Sequence, residues 1–220
     1  MTIGDNVHRI LSELPEGVTL IAATKTRAPA EILEAVAAGV RVIGENYVQE
    51  AERAYAVIGS RAEWHLIGHL QKNKARRAAA IFDMVETVDS LDIATELDRH
   101  AAEMGKKLAV LIEVNSAREC EKSGVLPEEV NKLVSEAATL RHLSVMGLMT
   151  MGPLTGDPEA LRCCFREVKR LFDGLKALSL PGVEMRYLSM GMTDSYRMAV
   201  KEGANLVRIG SGIFGARVPD

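Results

Sequence analysis

Short apolar runs alternate with helix-forming segments along this chain, and that alternation restricts the folds open to it. Continuous apolar strands separated by helices predict a parallel sheet covered on both faces. Their number predicts a (β/α)8 barrel in preference to an open doubly wound sheet. The runs that we interpret as strands are Thr19–Thr24, Val40–Glu45, Trp64–Gly68, Met84–Val88, Leu108–Val114, Val145–Met149, Met185–Ser189 and Leu206–Gly210.

The helical segments complete this pattern. An apolar i, i+3, i+4, i+7 spacing from Val7 to Leu14 predicts an extra amphipathic helix before the first strand. Glycine follows three later helices, where a left-handed cap is expected. The chain has 220 residues and lacks a linker rich in Gly, Ser or Pro, so we predict one domain over residues 1–220. Helices between strands are predicted at Ala30–Ala38, Lys74–Ile81, Leu91–Met104, Glu128–Ala138, Pro158–Leu178 and Asp194–Glu202.

Composition excludes several classes of function. The net charge of −3 gives no overall attraction to nucleic acid or to an anionic membrane, and the basic group at Lys72–Arg77 is interpreted as a solvated helix face. The cysteines, Cys120, Cys163 and Cys164, are odd in number and do not form a disulfide framework or a zinc-site spacing. No signal peptide or bilayer-spanning run is present, so a cytoplasmic protein without a metal is expected.

Lys25 is the first chemical anomaly, because it ends a run that otherwise has the character of a buried strand. Lysine is almost never fully buried without a partner. Three explanations are open. The residue lies just outside the core, it pairs with an anion, or it is an amine of lowered pKa that bonds covalently to a carbonyl.

Glycine-rich loops follow strands 7 and 8, where barrels of this type commonly bind phosphate. The first is Ser189-Met-Gly-Met-Thr-Asp194, which leads into a helix, and the second is Arg208-Ile-Gly-Ser-Gly-Ile-Phe-Gly215. Gly191 permits close backbone approach, and Gly210 to Gly212 could form a second cradle with the Ser211 hydroxyl as a donor. Ordinary turns and helix caps use the same residues, which is the alternative interpretation.

Arg208 is the second anomaly, a fixed positive charge inside an apolar strand. It is either half of a structural ion pair, with Glu45 or Glu113 as the expected partner, or a cation that faces a ligand acceptor. A set of methionines near strands 6 and 7 either fills the core or forms the soft wall of a flat ligand site. These are Met146, Met149, Met151, Met190 and Met192.

One ligand would use all of these parts. Pyridoxal 5′-phosphate has an aldehyde for Lys25, a phosphate for the two glycine loops and a ring nitrogen for Arg208. A Schiff-base aldolase acting on a phosphosugar is a weaker alternative, because it makes little use of Arg208 and lacks an obvious base near Lys25.

The motifs resemble those of the pyridoxal phosphate homeostasis protein family, single-domain relatives of the alanine racemase barrel. They occur in the family's order and cover essentially the whole chain. They are Ala23-Thr-Lys-Thr26, Gly44-Glu-Asn-Tyr-Val-Gln-Glu50, Trp64-His-Leu-Ile-Gly-His-Leu-Gln-Lys-Asn-Lys74, Gly147-Leu-Met149, Ser189-Met-Gly-Met192 and Val207-Arg-Ile-Gly-Ser-Gly-Ile-Phe-Gly215.

This resemblance implies a fold-type III barrel with pyridoxal phosphate as an internal aldimine on Lys25. It places Arg208 near the pyridine nitrogen. It also implies that Ser189, Thr193, Gly210 and Ser211 surround the phosphate, that Asn46 and His65 line the ring pocket, and that Met190 contributes backbone. Two departures stand out. Ser211-Gly212 replaces the family's frequent Thr-Ala and keeps the hydroxyl, and Ser195 stands where many members have an acidic residue, which leaves the helix cap open.

The resemblance further implies a protein that holds and releases pyridoxal phosphate, supporting cofactor homeostasis and amino-acid and keto-acid balance. The alternative is an amino-acid racemase of weak or specialised activity. An arginine at the ring nitrogen leaves the ring a weak electron sink. In the family comparison a racemase also needs a tyrosine from a second domain, and this sequence ends at Asp220. We expect a monomer or weak homodimer, with pyridoxal-phosphate-dependent apoenzymes as recipients.

Overall fold

The structure, a computed structural model, describes residues 1–153 and 157–216. Its strands form a closed barrel in chain order, in which every strand is parallel to its neighbours, and β1 pairs with β8 to complete the ring. This confirms the predicted (β/α)8 barrel. The strands are β1 (Thr19–Ala23), β2 (Val42–Glu45), β3 (Glu63–Leu66), β4 (Met84–Val88), β5 (Leu108–Glu113), β6 (Leu143–Met149), β7 (Val183–Ser189) and β8 (Leu206–Ile209).

Helices surround the barrel, and α1 precedes β1 as the apolar spacing predicts. Thr2 and Asp5 form a reciprocal capping box at its start. Gly39, Gly105 and Gly203 follow helices with positive φ, as expected for left-handed caps. The helices are α1 (Ile3–Glu13), α2 (Pro29–Ala37), α3 (Val48–Ile58), α4 (Ala75–Ile81), α5 (Leu91–Glu103), α6 (Val130–Ala137), α7 (Pro158–Leu178), α8 (Tyr196–Lys201) and α9 (Ser211–Phe214).

Helices α3 and α9 are absent from the prediction. The signal for α3 was present, because Val48, Ala51, Ala54 and Ile58 are buried at helical spacing. Its small apolar residues and many polar ones made that stripe weak. Helix α9 has four residues, too few for a period to be visible.

Two apolar cores lie on the two faces of the sheet. The larger packs strands against helices, and a smaller one fills the barrel interior with Ile21, Val42, Met84, Leu111, Met149 and Leu206. Successive side chains on a strand point to opposite faces. Trp64 therefore faces the helices, where its indole N–H donates to the Gly59 carbonyl over 2.9 Å, and His65 faces the interior.

None of the helices within residues 1–153 and 157–216 is long and apolar enough to cross a bilayer. Asp220, the last residue of the sequence, lies outside those ranges.

Candidate functional site

Lys25 lies at the barrel mouth, two residues after β1 ends at Ala23, and is half-buried. The backbone on each side of it is anchored to neighbouring elements. Before it, the Thr24 hydroxyl donates to Glu45 Oε1 over 2.6 Å. After it, the Thr26 N–H donates to Glu50 Oε2 over 2.9 Å, although Thr26 has the uncommon φ of 66°. Lys25 thus lies at the carboxyl edge of the sheet, and hydrogen bonds fix the chain on both sides of it.

The end of β8 lies directly beside the end of β1. Ala22 pairs with Ile209, so Gly210 and Ser211 leave the barrel next to the segment that carries Lys25. A Cβ on Gly210 would lie 3.3 Å from the Ala23 carbonyl oxygen, which is tighter than ordinary contact. The two strand ends therefore approach one another closely because residue 210 lacks a side chain.

The loop after β7 meets the start of α9 and places two hydroxyls together. Thr193 Oγ1 lies 3.1 Å from Ser211 Oγ and accepts a hydrogen bond from the Gly212 N–H over 3.2 Å. A Cβ on Gly212 would come within 2.9 Å of Ile209 Cγ2 and 3.2 Å of Thr193 Cγ2. Hydroxyl and backbone donors gathered in this way suit a small anion such as phosphate.

Ser195, the position that the sequence left open, is the N-cap residue of α8, but its side chain accepts no hydrogen bond from the helix. Helix α8 begins at Tyr196, two residues later than predicted, and the Ser195 hydroxyl accepts a hydrogen bond from the Met192 N–H over 3.0 Å. Gly191 has a φ of 95°, and a Cβ there would lie 2.5 Å from Ala199 Cβ. Glycine at 191 therefore lets the loop turn tightly onto α8.

Arg208 extends from β8 into the barrel interior and is almost fully buried. Its Nη1 donates to Ser189 Oγ over 2.5 Å, and its Nη2 donates to the Thr150 carbonyl over 2.8 Å. The partner in its ion pair is Glu86, with 3.9 Å between Nη1 and Oε2. The expectation of an ion pair with Glu45 or Glu113 was wrong.

Glu86 connects this arginine to a buried histidine. Its Oε2 accepts from the Ser189 hydroxyl over 2.5 Å, and its Oε1 lies 2.6 Å from His65 Nδ1. His65 Nε2 lies 3.0 Å from Glu63 Oε1. Alternating charges thus run from Glu63 through His65 and Glu86 to Arg208, with Ser189 between the last two.

The charged side chains in this row stabilise one another's ionised states. Burial disfavours an imidazolium, yet the hydrogen bonds to Glu63 and Glu86 outweigh burial and raise the pKa of His65 to about 9. Burial likewise opposes the Glu86 carboxylate, but His65 and Arg208 hold the pKa of Glu86 below its ordinary value. At neutral pH His65 is therefore a cation that donates to both carboxylates.

The predicted site residues divide into two levels. Lys25, Asn46, Thr193 and Gly210 lie at the mouth on the loops that follow β1, β2, β7 and β8, and Ser211 begins α9 beside them. The side chains of His65, Ser189 and Arg208 lie inside the barrel. Arg208 donates to Ser189, and Glu86 bonds to both Ser189 and His65. The Met190 N–H donates to the Leu206 carbonyl over 3.2 Å, while its side chain packs in the outer core.

Sequence reasoning missed Glu86, the residue that joins the buried groups. A signal was available, because Glu86 is a charge in the middle of the apolar strand Met84–Val88. This is the same anomaly that drew attention to Arg208. Buried charges are rarely left without a partner, so the two anomalies could have been paired.

A cavity of about 310 Å³ opens beside the ends of β2, β3, β5 and β6. Asn46 lines it, together with Glu113, Met151 and Met192. The methionines thus divide: Met146, Met149 and Met151 pack in the barrel interior, Met190 fills the outer core, and Met192 faces the cavity. Core filling therefore occurs, Met151 and Met192 also line the cavity, and a ligand-site role for them stays a prediction.

Two buried carboxyls near the mouth have raised pKa values, so each is only partly ionised at neutral pH. Burial raises the pKa of Glu45 to about 7, and burial together with the Asp89 carboxylate raises the pKa of Glu113 to about 7. The Oε2 atoms of Glu45 and Glu113 have no hydrogen-bond partner within residues 1–153 and 157–216. In those same ranges no three His, Cys, Asp or Glu side chains group closely enough to hold a metal ion.

Comparison with known proteins gives one consistent family. Residues 2–218 match the family model described as alanine racemase, N-terminal domain. The pyridoxal phosphate homeostasis protein of Haemophilus influenzae is 41% identical over 203 residues, which cover 91% of this chain and 85% of that protein. The protein of that name from Escherichia coli is also 41% identical, over 213 residues covering 92% of this chain and 87% of that protein.

Solved structures show the same barrel. The structure of PipY from Synechococcus elongatus with pyridoxal phosphate bound has a TM-score of 0.89 and 34% identity, covering 97% of this chain and all 100% of that one. Alanine racemase from Clostridium difficile has a TM-score of 0.83 at 16% identity, covering 100% of this chain and 60% of that one. The likeness to the racemase is one of fold alone.

Proposed function

This chain belongs to the pyridoxal phosphate homeostasis protein family, and from that membership we propose that it binds pyridoxal 5′-phosphate at the mouth of its barrel. The cofactor is held there and released, which buffers the free aldehyde and supports amino-acid and keto-acid balance. Relatives that carry the homeostasis name match nine-tenths of the chain or more, and PipY binds the same cofactor on the same barrel.

The observation that carries this proposal is the adjacency of Lys25 to a donor cluster. Lys25 follows β1, and Gly210 and Ser211 follow β8, the strand paired with it. Paired strands lie about 4.8 Å apart. An amine and a phosphate-type cradle that meet at neighbouring strand ends suit a small molecule with an aldehyde at one end and a phosphate at the other.

We propose a covalent attachment at Lys25. The Nζ atom bonds to the aldehyde carbon of the cofactor with loss of one water molecule. When bound, the cofactor supplies an electrophilic carbon and an electron-withdrawing ring. The anchors at Thr24 and Thr26 keep the lysine backbone at the mouth while its side chain forms or breaks that bond.

The phosphate would bind at the meeting point of the two glycine loops. Thr193 and Ser211 supply hydroxyls, and the missing side chains of Gly210 and Gly212 let backbone approach the ligand. Asn46 borders the mouth on the other side, at the end of β2. These residues together would orient the ring above the barrel interior.

Arg208, in the barrel interior, would determine the protonation state of the pyridine nitrogen. A guanidinium only donates hydrogen bonds, so an arginine that faces the pyridine nitrogen leaves that nitrogen without a proton. Glu86 and Ser189 hold Arg208, and His65 holds Glu86. A ring kept unprotonated stabilises carbanions poorly, which favours a carrier that hands its cofactor to apoenzymes over a racemase.

The test is to load the protein with pyridoxal phosphate and locate the bond. We expect a yellow protein whose colour is lost in Lys25→Ala, and, after borohydride reduction, a cofactor mass on the peptide that contains Lys25. Lys107→Ala is the matched control, because Lys107 is exposed at the opposite end of the barrel, just before β5. A colourless protein after reconstitution, or the same colour in Lys25→Ala, would refute the proposal.

A further inference from the structure

Glu113 stands across the barrel mouth from Lys25. The strands close in chain order, so β5 is four strands from β1 in either direction around the ring. Glu113 ends β5, and Leu111, two residues earlier, packs in the barrel interior. Because alternate side chains share a face, Glu113 points to the interior as well. The Glu113 carboxyl therefore faces the interior from the wall opposite β1, the strand that leads to Lys25.

The Glu113 carboxyl is buried, and one of its two oxygens is unpaired within the described residues. The residue is 6% exposed, and its Oε2 has no hydrogen-bond partner in the described part of the chain. The loop after β5 covers it, since a Cβ on Gly124 would lie 3.2 Å from Glu113 Cγ. A buried polar atom left without a hydrogen bond destabilises the fold, because it has lost its bonds to water and gained none in return. Such an atom beside a cavity indicates a place for a ligand donor.

The cations around this carboxyl are already engaged. Arg208 donates to Ser189 and Thr150. Lys122 Nζ donates to the Gly152 carbonyl over 3.0 Å and pairs with Glu119 at 2.8 Å.

The remaining titratable groups that face Glu113 make the cavity acidic. His69 Nδ1 lies 3.3 Å from Asp89 and 3.1 Å from the Ser123 hydroxyl. Asp89 opposes ionisation of Glu113, and Glu121 adds a further carboxylate to the cavity wall. A bound cation would relieve this repulsion between carboxylates.

We propose that the cavity of about 310 Å³ beside Glu113 is an amine site, in which the Glu113 carboxyl receives the ammonium group of a small amino acid. The assignment rests on the proposed function, because such a ligand is the second reactant that would compete with Lys25 for the aldehyde of the cofactor. Ammonium groups offer three donors, which suits an acceptor that has an unpaired oxygen.

The other walls favour an organic amine over a metal ion. Ca²⁺ takes six to eight oxygen ligands and Mg²⁺ an octahedron of them, and nearby hydroxyls are engaged, since Ser116 Oγ lies 2.9 Å from Thr150 Oγ1. Met151 and Met192 line the same cavity and present soft apolar surface to the carbon skeleton of a ligand.

The test uses the full chain with Lys25→Ala, free of cofactor, so that no aldehyde chemistry contributes. The methionine methyls are labelled with ¹³C, and the NMR spectrum is followed during titration with L-alanine. L-lactate is the matched probe, because it has a hydroxyl where alanine has the ammonium group. We expect L-alanine to shift the Met151 and Met192 signals saturably and L-lactate to bind at least about tenfold more weakly.

Two added substitutions locate the acceptor. Glu113→Gln should weaken L-alanine binding by about tenfold or more, whereas Glu16→Gln, an exposed carboxylate before β1 at the opposite end of the barrel, should change it by less than about twofold. Equal binding of alanine and lactate, an unchanged affinity in Glu113→Gln, or no shift at either methionine overturns the proposal.

The outcomes separate this proposal from the proposed function. If Glu113→Gln does not fold, the alanine and lactate comparison in the Lys25→Ala chain decides the result by itself. Failure of pyridoxal phosphate to bind the unsubstituted chain would refute the proposed function. The alanine titration uses a cofactor-free chain, so it would still test the amine site independently.

Discussion

Glu86 accepts a hydrogen bond from His65 across 2.6 Å inside the barrel, with both side chains almost wholly removed from solvent. Through Ser189 the same carboxylate reaches Arg208. One buried acid therefore holds two buried cations. The charge state of the barrel interior depends on this contact, and the first two predictions test it.

Replacing Glu86 by Gln should destabilise the fold strongly. The change removes the negative charge between His65 and Arg208, and breaking a buried ion pair by removing one partner costs about 3–5 kcal/mol. Urea unfolding of the cofactor-free protein measures this loss. Glu63→Gln is the control, since Glu63 bonds the same imidazole but is half-exposed, and its loss should be much smaller. Equal effects of the two substitutions would contradict the assigned role of Glu86.

Stability should fall as the pH rises from about 6.5 to about 9. The pKa of His65 is raised to about 9 in the folded state, against 6.5 when unfolded, so the folded state binds the proton more tightly over that window. Its contribution is complete below pH 6.5 and is lost as the pH passes 9, an upper bound of about 3 kcal/mol. Urea unfolding at several pH values measures the slope.

His65→Gln should flatten that slope, because it removes the titrating group. Glu45 and Glu113 act in a lower window, between about pH 4.5 and 7, where their raised pKa values also make stability fall with rising pH. If the free energy of unfolding still falls above pH 7 in His65→Gln, a group other than His65 causes the fall.

Gly212→Ala should weaken binding of pyridoxal phosphate by about tenfold. The added Cβ would lie 2.9 Å from Ile209 Cγ2 and 3.2 Å from Thr193 Cγ2, which displaces the Thr193 hydroxyl from the cradle. Equilibrium dialysis measures the affinity. Gly174→Ala in α7 is the matched control, because a Cβ there meets no atom within 4 Å. Equal affinities of the two variants would place the phosphate elsewhere.

The loaded protein should not exchange the α-hydrogen of alanine for deuterium faster than free pyridoxal phosphate does. An arginine opposite the ring nitrogen cannot readily protonate it, so the carbanion that exchange requires is poorly stabilised. Proton NMR in deuterium oxide follows the α-hydrogen signal directly. Exchange at an enzymatic rate that disappears in Lys25→Ala would support the racemase alternative.

The barrel was predictable because each strand is a continuous apolar run and each run is separated from the next by a helical or polar segment. Lys25, Gly210 and Ser211 were placed correctly at neighbouring strand ends, since β8 must meet β1 when a barrel closes. Strand bounds differed by at most two residues, and β4 matched at both ends.

The sequence marked Glu86 as one candidate partner of Arg208 but could not select it over Glu45 and Glu113. Glu45, Glu86 and Glu113 all lie on strands, and a hydrophobic period cannot tell which of them shares a layer with Arg208. That depends on the stagger of the closed sheet and on register shifts such as the one between Val85 and Val88. Glu45 also points away from the barrel interior. On the outer side of the sheet it accepts a hydrogen bond from the Thr24 hydroxyl.

The anchors around Lys25 have a consequence for kinetics. Hydrogen bonds from Thr24 and Thr26 hold the chain on both sides of the lysine, so we expect the Lys25 backbone to keep its place while a cofactor is loaded or unloaded. The exchange rate should then follow the concentration of competing amines and be insensitive to solvent viscosity. If the proposed carrier function holds, the amines around the protein, and not a conformational change, would set the rate of cofactor release.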